Sequence, residues 1–448
     1  MFIKDKTFYK TFFRLCSILI VQNVIVLMTN LADNIMIGGY SETALSGVAA
    51  VNQIQFVFQQ IIMSAGDALV AIGSQYWGQK RTNPIKQLTK GALFTGLSAG
   101  VLLFLLAIFI PSQMLSLFTS SKDIIAQGTE YLHLIKYTYI LFAASNLLLA
   151  SLRSVESVKI AFLASSEAFV VNCIINFLLI NGNLGAPRLG VTGAAIGTLT
   201  ARAVELITVV FYLCFKDRKL ALKKQDFIHT DFSLIKDYTK TAIFFIIVGA
   251  MFGASTALQT VILGHMNDSA IAANSVATAL FQILKVASVG AASAASVMIG
   301  KAIGNGDRKL IKQYTKTLQV IFLMIGLATS LLLFVLRTPI LSLYDLSEQT
   351  KQMANGFLLI LCITCVGTAY EMPVLTGIVR GGGDSKFVFW NDLISIWGIV
   401  LPISFLAAFV FHWPPVAVLF CLNSDQIFKC AAAVIKVNRY RWIKKLTR

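Results

Sequence analysis

Residues 152–162, LRSVESVKIAF, recur in altered form at residues 379–389, VRGGGDSKFVF. An Arg, a Lys and a Phe stand at matching positions of the two stretches, which are 227 residues apart. A second pair, IGSQYWGQKR at 72–81 and IGKAIGNGDR at 299–308, has the same long spacing. A repeat of this length is a whole structural lobe rather than one unit of a solenoid. The chain is therefore predicted to contain two related lobes.

Both lobes are rich in apolar residues: hydrophobic residues make up 56% of the chain and charged residues 13%. Apolar runs long enough to cross about 30 Å of hydrocarbon recur throughout. The predicted spans 1 to 6 are 12–38, 44–73, 88–110, 129–151, 160–182 and 191–215. The predicted spans 7 to 12 are 241–264, 270–300, 316–337, 353–378, 388–411 and 414–435.

These runs predict an all-α polytopic membrane protein with 12 transmembrane helices in two six-helix lobes related by pseudo-two-fold symmetry. The predicted N-terminal lobe is 1–215, the cytoplasmic linker is 216–240, and the C-terminal lobe with its basic tail is 241–448. An even number of spans gives both lobes the same orientation in the membrane.

The distribution of positive charge gives the orientation. A net charge of +17 is compatible with nucleic-acid binding, but 30 of the 38 Lys and Arg residues fall on one side of the predicted spans, if those in the first few residues of the adjoining spans are included. This is the positive-inside bias of membrane proteins, so no nucleic-acid partner is expected. We predict a multi-pass protein of the plasma (inner) membrane with both termini cytoplasmic. The basic tail from Arg439 to Lys445 is interpreted as a contact with anionic lipid headgroups.

Polar residues inside the spans mark the candidate site, because polar groups in hydrocarbon normally face a cavity or a partner. Spans 2 and 8 each carry a polar stripe along one helix face, consisting of Gln53, Gln60 and Asp67 and of Thr278, Gln282 and Lys285. We interpret both stripes as walls of a substrate cleft. The alternative is that they hydrogen-bond neighbouring helices. Lys285 and Glu371, in span 10, either pair with each other or contact substrate.

Span 1 contains Asp33, about one turn from its predicted outer end, and the equivalent residue of the second lobe is Gln259. The acids within the first-lobe spans outnumber the bases by two; they are Asp33, Asp67, Glu167 and Glu205, against Lys136 and Arg202. A buried carboxylate without a partner must bind a proton or a metal cation. Such a group couples ion movement to conformation.

Two further charge pairs are predicted to be structural. Arg202 and Glu205 are three residues apart, and Asp425 and Lys429 are four apart, so each pair shares one helix face. The four histidines have no metal-ligand spacing, and the chain has no phosphate-binding glycine loop. We therefore expect neither an enzyme nor a bound cofactor.

Three motifs resemble one known family. They are NFLLINGNLGAP at 176–187 followed by GVTGAAIGT at 190–198, RGGGD at 380–384, and DNIMIG at 33–38. Together with the six-plus-six arrangement, they resemble the multidrug and toxic compound extrusion (MATE) family over nearly the whole chain. The chain departs from the family pattern at 154–156, where Ser-Val-Glu replaces glycines.

The resemblance implies a secondary active antiporter that exports cationic or amphipathic organic compounds in exchange for H⁺ or Na⁺ by alternating access. It implies a coupling-cation site of Asp33, Asn172, Asn176 and Thr198, with any Na⁺ bound at Asp33. The expected partners are a small-molecule substrate and the lipid bilayer, and the chain is expected to function as a monomer. The alternative function is a flippase for lipid-linked precursors on a related lobe plan.

Overall fold

The computed structural model describes residues 3–119, 121–222, 226, 230–266, 268–342 and 347–448. Helices make up nearly all of these residues. The first seven are α1 (Lys6–Gly38), α2 (Glu42–Gly78), α3 (Asn83–Phe109), α4 (Pro111–Ser116), α5 (Lys122–Ser154), α6 (Lys159–Leu179) and α7 (Gly190–Phe215). The next four are α8 (Phe232–Gly264), α9 (Asp268–Asn305), α10 (Arg308–Leu341) and α11 (Glu348–Met372). The last four are α12 (Ser385–Asp392), α13 (Leu401–Phe405), α14 (Pro415–Leu422) and α15 (Asp425–Asn438).

Twelve helical segments of the described chain are long and apolar enough to cross a membrane, which confirms the predicted fold class. Most are longer than predicted: the predicted span 129–151 belongs to α5, which has 33 residues. A helix of that length extends about 50 Å at 1.5 Å per residue, well beyond the hydrocarbon core. Hydropathy detects only the part that lies in lipid, so it missed these polar helix ends and the short helix α4.

The tenth and eleventh spans contain π-helical turns. These turns cover Pro373–Arg380, Leu393–Val400 and Leu406–Val410. Pro373 begins the first of them, and Pro402 lies between the other two. Because proline has no backbone N–H, it interrupts the α-helical hydrogen-bond pattern, and the wider turns continue the helix past it.

The chain divides into two compact units. Unit 1 contains residues 1–20, 74–79 and 250–448, and unit 2 contains residues 21–73 and 80–249. The helices α1, α2 and α8 therefore each contribute to both units. The predicted lobe boundaries at 215 and 241 stay a prediction, and linker residues 223–225 and 227–229 lie outside the described residues.

Each unit has its own apolar core. In unit 2 the core includes the buried Leu152, Ala164 and Val209, and in unit 1 it includes Phe357 and Val418. Large apolar side chains also cover the outside of the spans. Phe94, for example, is 75% exposed. Contiguous apolar surface of this kind is unfavourable in water and suits a lipid environment.

Candidate functional site

The candidate cation site lies within unit 2, where α1, α6 and α7 contribute one polar side chain after another. Asp33 on α1 is half-buried, whereas Asn172 and Asn176 on α6 are completely buried. The two asparagines are one helical turn apart, so their side chains lie on the same face of α6. Thr198 on α7 completes the predicted set.

A chain of hydrogen bonds connects these four residues. Asn176 Nδ2 donates to Asp33 Oδ1 at 2.6 Å and to Asn172 Oδ1 at 3.4 Å. Asn172 Nδ2 donates in turn to Thr198 Oγ1 at 3.5 Å. The structure thus brings together all four residues of the predicted coupling-cation set, although Asp33 and Thr198 are 165 positions apart in sequence.

One oxygen in this cluster has no hydrogen-bond partner in the described part of the chain. Asn176 Oδ1 is buried and accepts no hydrogen bond. Buried polar atoms are nearly always paired, because an unpaired group loses its hydration without compensation. A cation coordinated by this oxygen and by a carboxylate oxygen of Asp33 would provide the missing partner.

The space for Asn176 is provided by a glycine on the neighbouring helix. Gly197 faces Asn176, and a Cβ atom at this position would overlap the Asn176 amide oxygen. One turn earlier, Gly193 lies directly against the backbone of Leu179 at the end of α6. These two glycines let α6 and α7 approach closely enough for Asn172 to reach Thr198.

The positive charge nearest to Asp33 in this cluster, that of Arg202, is paired with another carboxylate. Arg202 forms an ion pair with Glu205 at 2.8 Å, which confirms the predicted structural pair. Its guanidinium also lies 5.1 Å from the centroid of the Phe142 ring and attracts Asp33 from a longer distance. Asp33 itself has no ion-pair partner among the described residues. Asp33 is therefore a carboxylate within a membrane span that no direct ion pair in the described chain neutralises.

The predicted surplus of two negative charges in the first-lobe spans is wrong. Asp67 forms an ion pair with Arg153 at 2.7 Å. Arg153 lies beyond the predicted end of span 4 at residue 151, but α5 continues to Ser154 and carries Arg153 to Asp67. Glu167 accepts a hydrogen bond from Thr208 Oγ1 at 2.7 Å.

Tyr131 was not predicted. This α5 residue is 3% exposed, and its hydroxyl lies next to Thr198 and within electrostatic range of Asp33. A single tyrosine in an apolar helix has no distinctive sequence signal. Only the packing of α5 against α7 brings it to the site.

The predicted cleft residues are distributed over both units. In unit 2, Gln53 is exposed and Gln60 is half-buried. In unit 1, Gln282 is exposed, and Thr278 Oγ1 donates to Asn274 Oδ1 on the same helix at 3.2 Å.

Lys285 and Glu371 do not form an ion pair in the described chain. The Lys285 ammonium lies 5.2 Å from the centroid of the Phe252 ring and 6.0 Å from that of Phe281. Glu371 is 6% exposed. The ammonium thus lies against two aromatic faces and does not contact the carboxylate directly.

A separate cluster of charges joins two helices of unit 1, α12 and α15. Lys429 on α15 contacts Asp392 at 2.8 Å and Asp425 at 3.3 Å. The predicted pairing of Asp425 with Lys429 is confirmed, and Asp392 at the end of α12 is an additional partner. The described residues contain no group of three or more His, Cys, Asp or Glu side chains arranged to hold a metal ion.

Within the described chain, twelve helices are long and apolar enough to cross a membrane, and one of them carries a half-buried carboxylate beside neutral oxygen-bearing side chains, which defines a polytopic membrane protein. The profile of the MatE family matches residues 19–178 and 245–406, which is most of the chain. The chain therefore belongs to the MatE family, the MATE transporters. This membership confirms the predicted family and the prediction that the protein is not an enzyme.

Similar proteins agree with this assignment. The probable multidrug resistance protein NorM of Thermotoga maritima is 21% identical over 95% of this chain and 91% of its own. A protein of the same description from Bacillus cereus is 24% identical over 85% of this chain and 84% of its own. A solved structure of a mutant of the Vibrio cholerae MATE transporter VcmN has a TM-score of 0.87 at 19% identity, covering 98% of both chains.

Proposed function

We propose that this transporter is a secondary active antiporter that exports cationic or amphipathic organic compounds in exchange for H⁺ or Na⁺. The observation that carries the proposal is the arrangement at Asp33. A carboxylate lies inside a membrane span without an ion-pair partner in the described chain, and a buried asparagine donates to it at 2.6 Å. The relatives described as probable multidrug resistance proteins support the substrate class.

Coupling follows from the cost of burying charge. An ionised carboxylate is unfavourable in a low-dielectric environment unless a cation or a proton neutralises it. Asp33 therefore favours ion loading before the site is closed off and ion release when water reaches it. Alternating access of the site to the two sides of the membrane then exchanges the ion for substrate.

The neighbours of Asp33 allow two modes of neutralisation. For Na⁺, the ligands would be the oxygens of Asp33, Asn172, Asn176 and Thr198, which are the hard donors that such ions prefer. For H⁺, the protonated Asp33 would become a donor, and the Asn176 amide would rotate to present Oδ1 as the acceptor. The unpaired Asn176 Oδ1 thus gains a partner in either case.

The test is ion-driven export of a fluorescent organic cation from proteoliposomes, with a proton gradient and a sodium gradient imposed separately. We expect one gradient to drive export and the Asp33→Asn variant to lose at least tenfold of that rate. Glu167→Gln is the matched control, since Glu167 is another acid of a unit 2 span and bonds only locally to Thr208. Equal gradient-driven export by Asp33→Asn and the unmodified protein would contradict the proposal.

The flippase alternative is less compatible with the structure. A site for a pyrophosphate group needs several free cations, and the four predicted cations within the spans are Lys136, Arg202, Lys285 and Lys429. Arg202 and Lys429 are both neutralised by carboxylates at 2.8 Å. Lys285 lies against two aromatic rings.

The remaining assignments are proposals on the same basis. The polar stripes of α2 and α9, with Glu371, are proposed to contact substrate, and Asp67 contributes there as one half of its ion pair with Arg153. The positive-inside bias supports an inner-membrane location with cytoplasmic termini. One chain contains both units, so we propose that a monomer is sufficient for transport.

A further inference from the structure

The last ten residues of the chain, 439–448, fold back onto unit 1 beyond the end of α15. Trp442 is completely buried, and its Nε1 donates to the Val437 carbonyl at 2.8 Å. Its ring packs directly on Gly382, where any Cβ atom would collide with it. The Lys444 amide donates to the Gly382 carbonyl at 3.0 Å. The indole therefore inserts into protein and does not anchor the tail in lipid.

Ion pairs add to this attachment. The Asp384 carboxylate accepts from Lys436 at one oxygen and from Lys444 at the other, each at 2.7 Å. Lys436 belongs to α15 and Lys444 to the tail, so one buried carboxylate connects both to the turn 381–384. We call the contacts of Trp442 and Lys444 with this turn and with α15 the anchor.

Beyond the anchor, the tail holds the last turns of α2. This second contact, which we call the catch, includes four hydrogen bonds between uncharged groups. They are Gln75 Nε2 to the Lys444 carbonyl at 3.1 Å, the Leu446 amide to Gln75 Oε1 at 2.8 Å, Gln79 Nε2 to Thr447 Oγ1 at 2.6 Å, and the Arg448 amide to Tyr76 Oη at 3.2 Å.

The segment held by the catch also crosses the end of α9. Gly78 lies directly against the Lys301 carbonyl, and Gly304 lies directly against the Gln75 carbonyl. Gly78 and Gly304 are 226 positions apart, as are Gln75 and Lys301. The repeated stretches 72–81 and 299–308 thus lie against each other, and the absence of side chains at the two glycines lets their backbones touch.

The two attachments differ in chemistry. The anchor combines a buried indole with a doubly ion-paired carboxylate, whereas the four hydrogen bonds of the catch join uncharged groups, of which the Gln75 and Tyr76 side chains are buried. Neutral bonds of this kind exchange for bonds to water at little net cost, whereas a buried ion-paired carboxylate does not. The four hydrogen bonds of the catch therefore cost less to replace by bonds to water than the ion pairs of the anchor do.

We infer that the tail is a strap that stays anchored to unit 1 and must release the end of α2 once in every transport cycle. This inference rests on the proposed alternating-access function, which requires helix ends that close the site on one side to separate. The helix α2 belongs to unit 2 up to Gly73 and to unit 1 from Ser74 to Gln79. The catch holds the segment at which α2 passes from one unit to the other.

The first test locks the catch reversibly in the full-length protein with its seven cysteines replaced. A bis-methanethiosulfonate reagent cross-links Gln79→Cys to Thr447→Cys, and transport is measured before cross-linking, after it, and after reduction. We expect at least a tenfold loss on cross-linking and recovery on reduction. A control cross-link of Asp384→Cys to Lys444→Cys, which locks only the anchor, should retain more than half the rate. Full transport with the catch cross-linked would overturn the inference.

A second measurement does not depend on transport. Deletion of residues 446–448 removes most of the catch, and we expect amide exchange over 74–79 and 299–305 to rise at least threefold, with 381–384 unchanged. Lys445→Gln, an exposed tail residue outside the catch, is the control. If neither the unmodified protein nor any variant transports but amide exchange over 74–79 rises on deletion, the proposed function is contradicted and the contact between the tail and α2 is supported. Unchanged exchange would overturn the strap itself.

Discussion

At the residue scale, the properties of Asp33 depend on a few atoms around it. The carboxylate accepts a 2.6 Å hydrogen bond from Asn176, whose own position depends on the bare Cα of Gly197. Small changes in the separation of α6 and α7 therefore act directly on the proposed ion site. Residues that never touch an ion still determine its ligand geometry.

Replacing Gly197 with Ala tests this dependence. The added methyl group would overlap Asn176 Oδ1, so either the amide or the helix must move. Overpacking of this kind costs about 1–3 kcal/mol of stability. We expect gradient-driven export to fall about tenfold in proteoliposomes. Gly264→Ala is the control, since a Cβ there meets no atom within 4 Å, and an equal effect of both variants would contradict the prediction.

A second residue-scale prediction concerns Asp384 and pH. Burial by itself would raise the pKa of Asp384, but hydrogen bonds and charge attraction from Lys436 and Lys444 outweigh it and hold the pKa below its ordinary value. Because its native pKa is lowered, ionised Asp384 contributes its full stabilisation of the fold at pH values above the unfolded-state pKa of about 4. This contribution is lost as the pH falls through the native pKa.

The melting temperature of the unmodified protein should therefore exceed that of Asp384→Asn at pH 7. The difference should shrink progressively on acidification below about pH 4. Thermal unfolding in detergent over this pH range measures it. A difference that stays constant with pH would show that the carboxylate charge does not stabilise the tail.

At the element scale, charges hold α12 and α15 together inside the membrane. Lys429 contacts Asp392 on one element and Asp425 on its own. All three side chains are largely buried, so each charge depends on the others for compensation. The π-helical turns that follow Asp392 continue the same span past Pro402. The ion pairs therefore attach this span to α15 through its α-helical part, α12, which precedes the π-helical turns.

Lys429→Met should destabilise the protein strongly, because it leaves two buried carboxylates without a counter-charge. Breaking a buried pair in this way costs about 3–5 kcal/mol. Lys351→Met is the matched control: its contact with Glu348 is 3.8 Å long and exposed, and such pairs contribute about 0–1 kcal/mol. Thermal unfolding of both variants should separate them clearly, and a similar melting temperature for the two would refute the expectation.

At the scale of the whole molecule, orientation follows from the sum of many charges rather than from any one site. Thirty Lys and Arg residues on one side outweigh four on the other. The bias is large enough that no single substitution should invert the protein. The C-terminal tail and the proposed strap therefore belong to the cytoplasmic side in this interpretation.

Cysteine labelling in intact cells tests this orientation. In a variant without native cysteines, a cysteine in place of Lys122 should react with a membrane-impermeant maleimide, whereas one in place of Lys445 should react only after permeabilisation. Both positions are exposed, so accessibility within the fold does not separate them. Labelling of the Lys445 position in intact cells would reverse the assignment.

Sequence alone was sufficient to predict the twelve spans and the family, and to select the four residues that lie together around Asp33. Span length follows from the thickness of hydrocarbon, which acts locally on each run of residues. Asp33, Asn176 and Thr198 lie in recognisable motifs, and Asn172 lies one helical turn before Asn176. Only the tertiary structure decided which charges are neutralised. Asp67 meets Arg153 and Lys429 meets Asp392 only when separate helices pack together, and Tyr131 reaches the site in the same way. The strength of an ion pair depends on distance and burial, and neither is encoded in local sequence pattern.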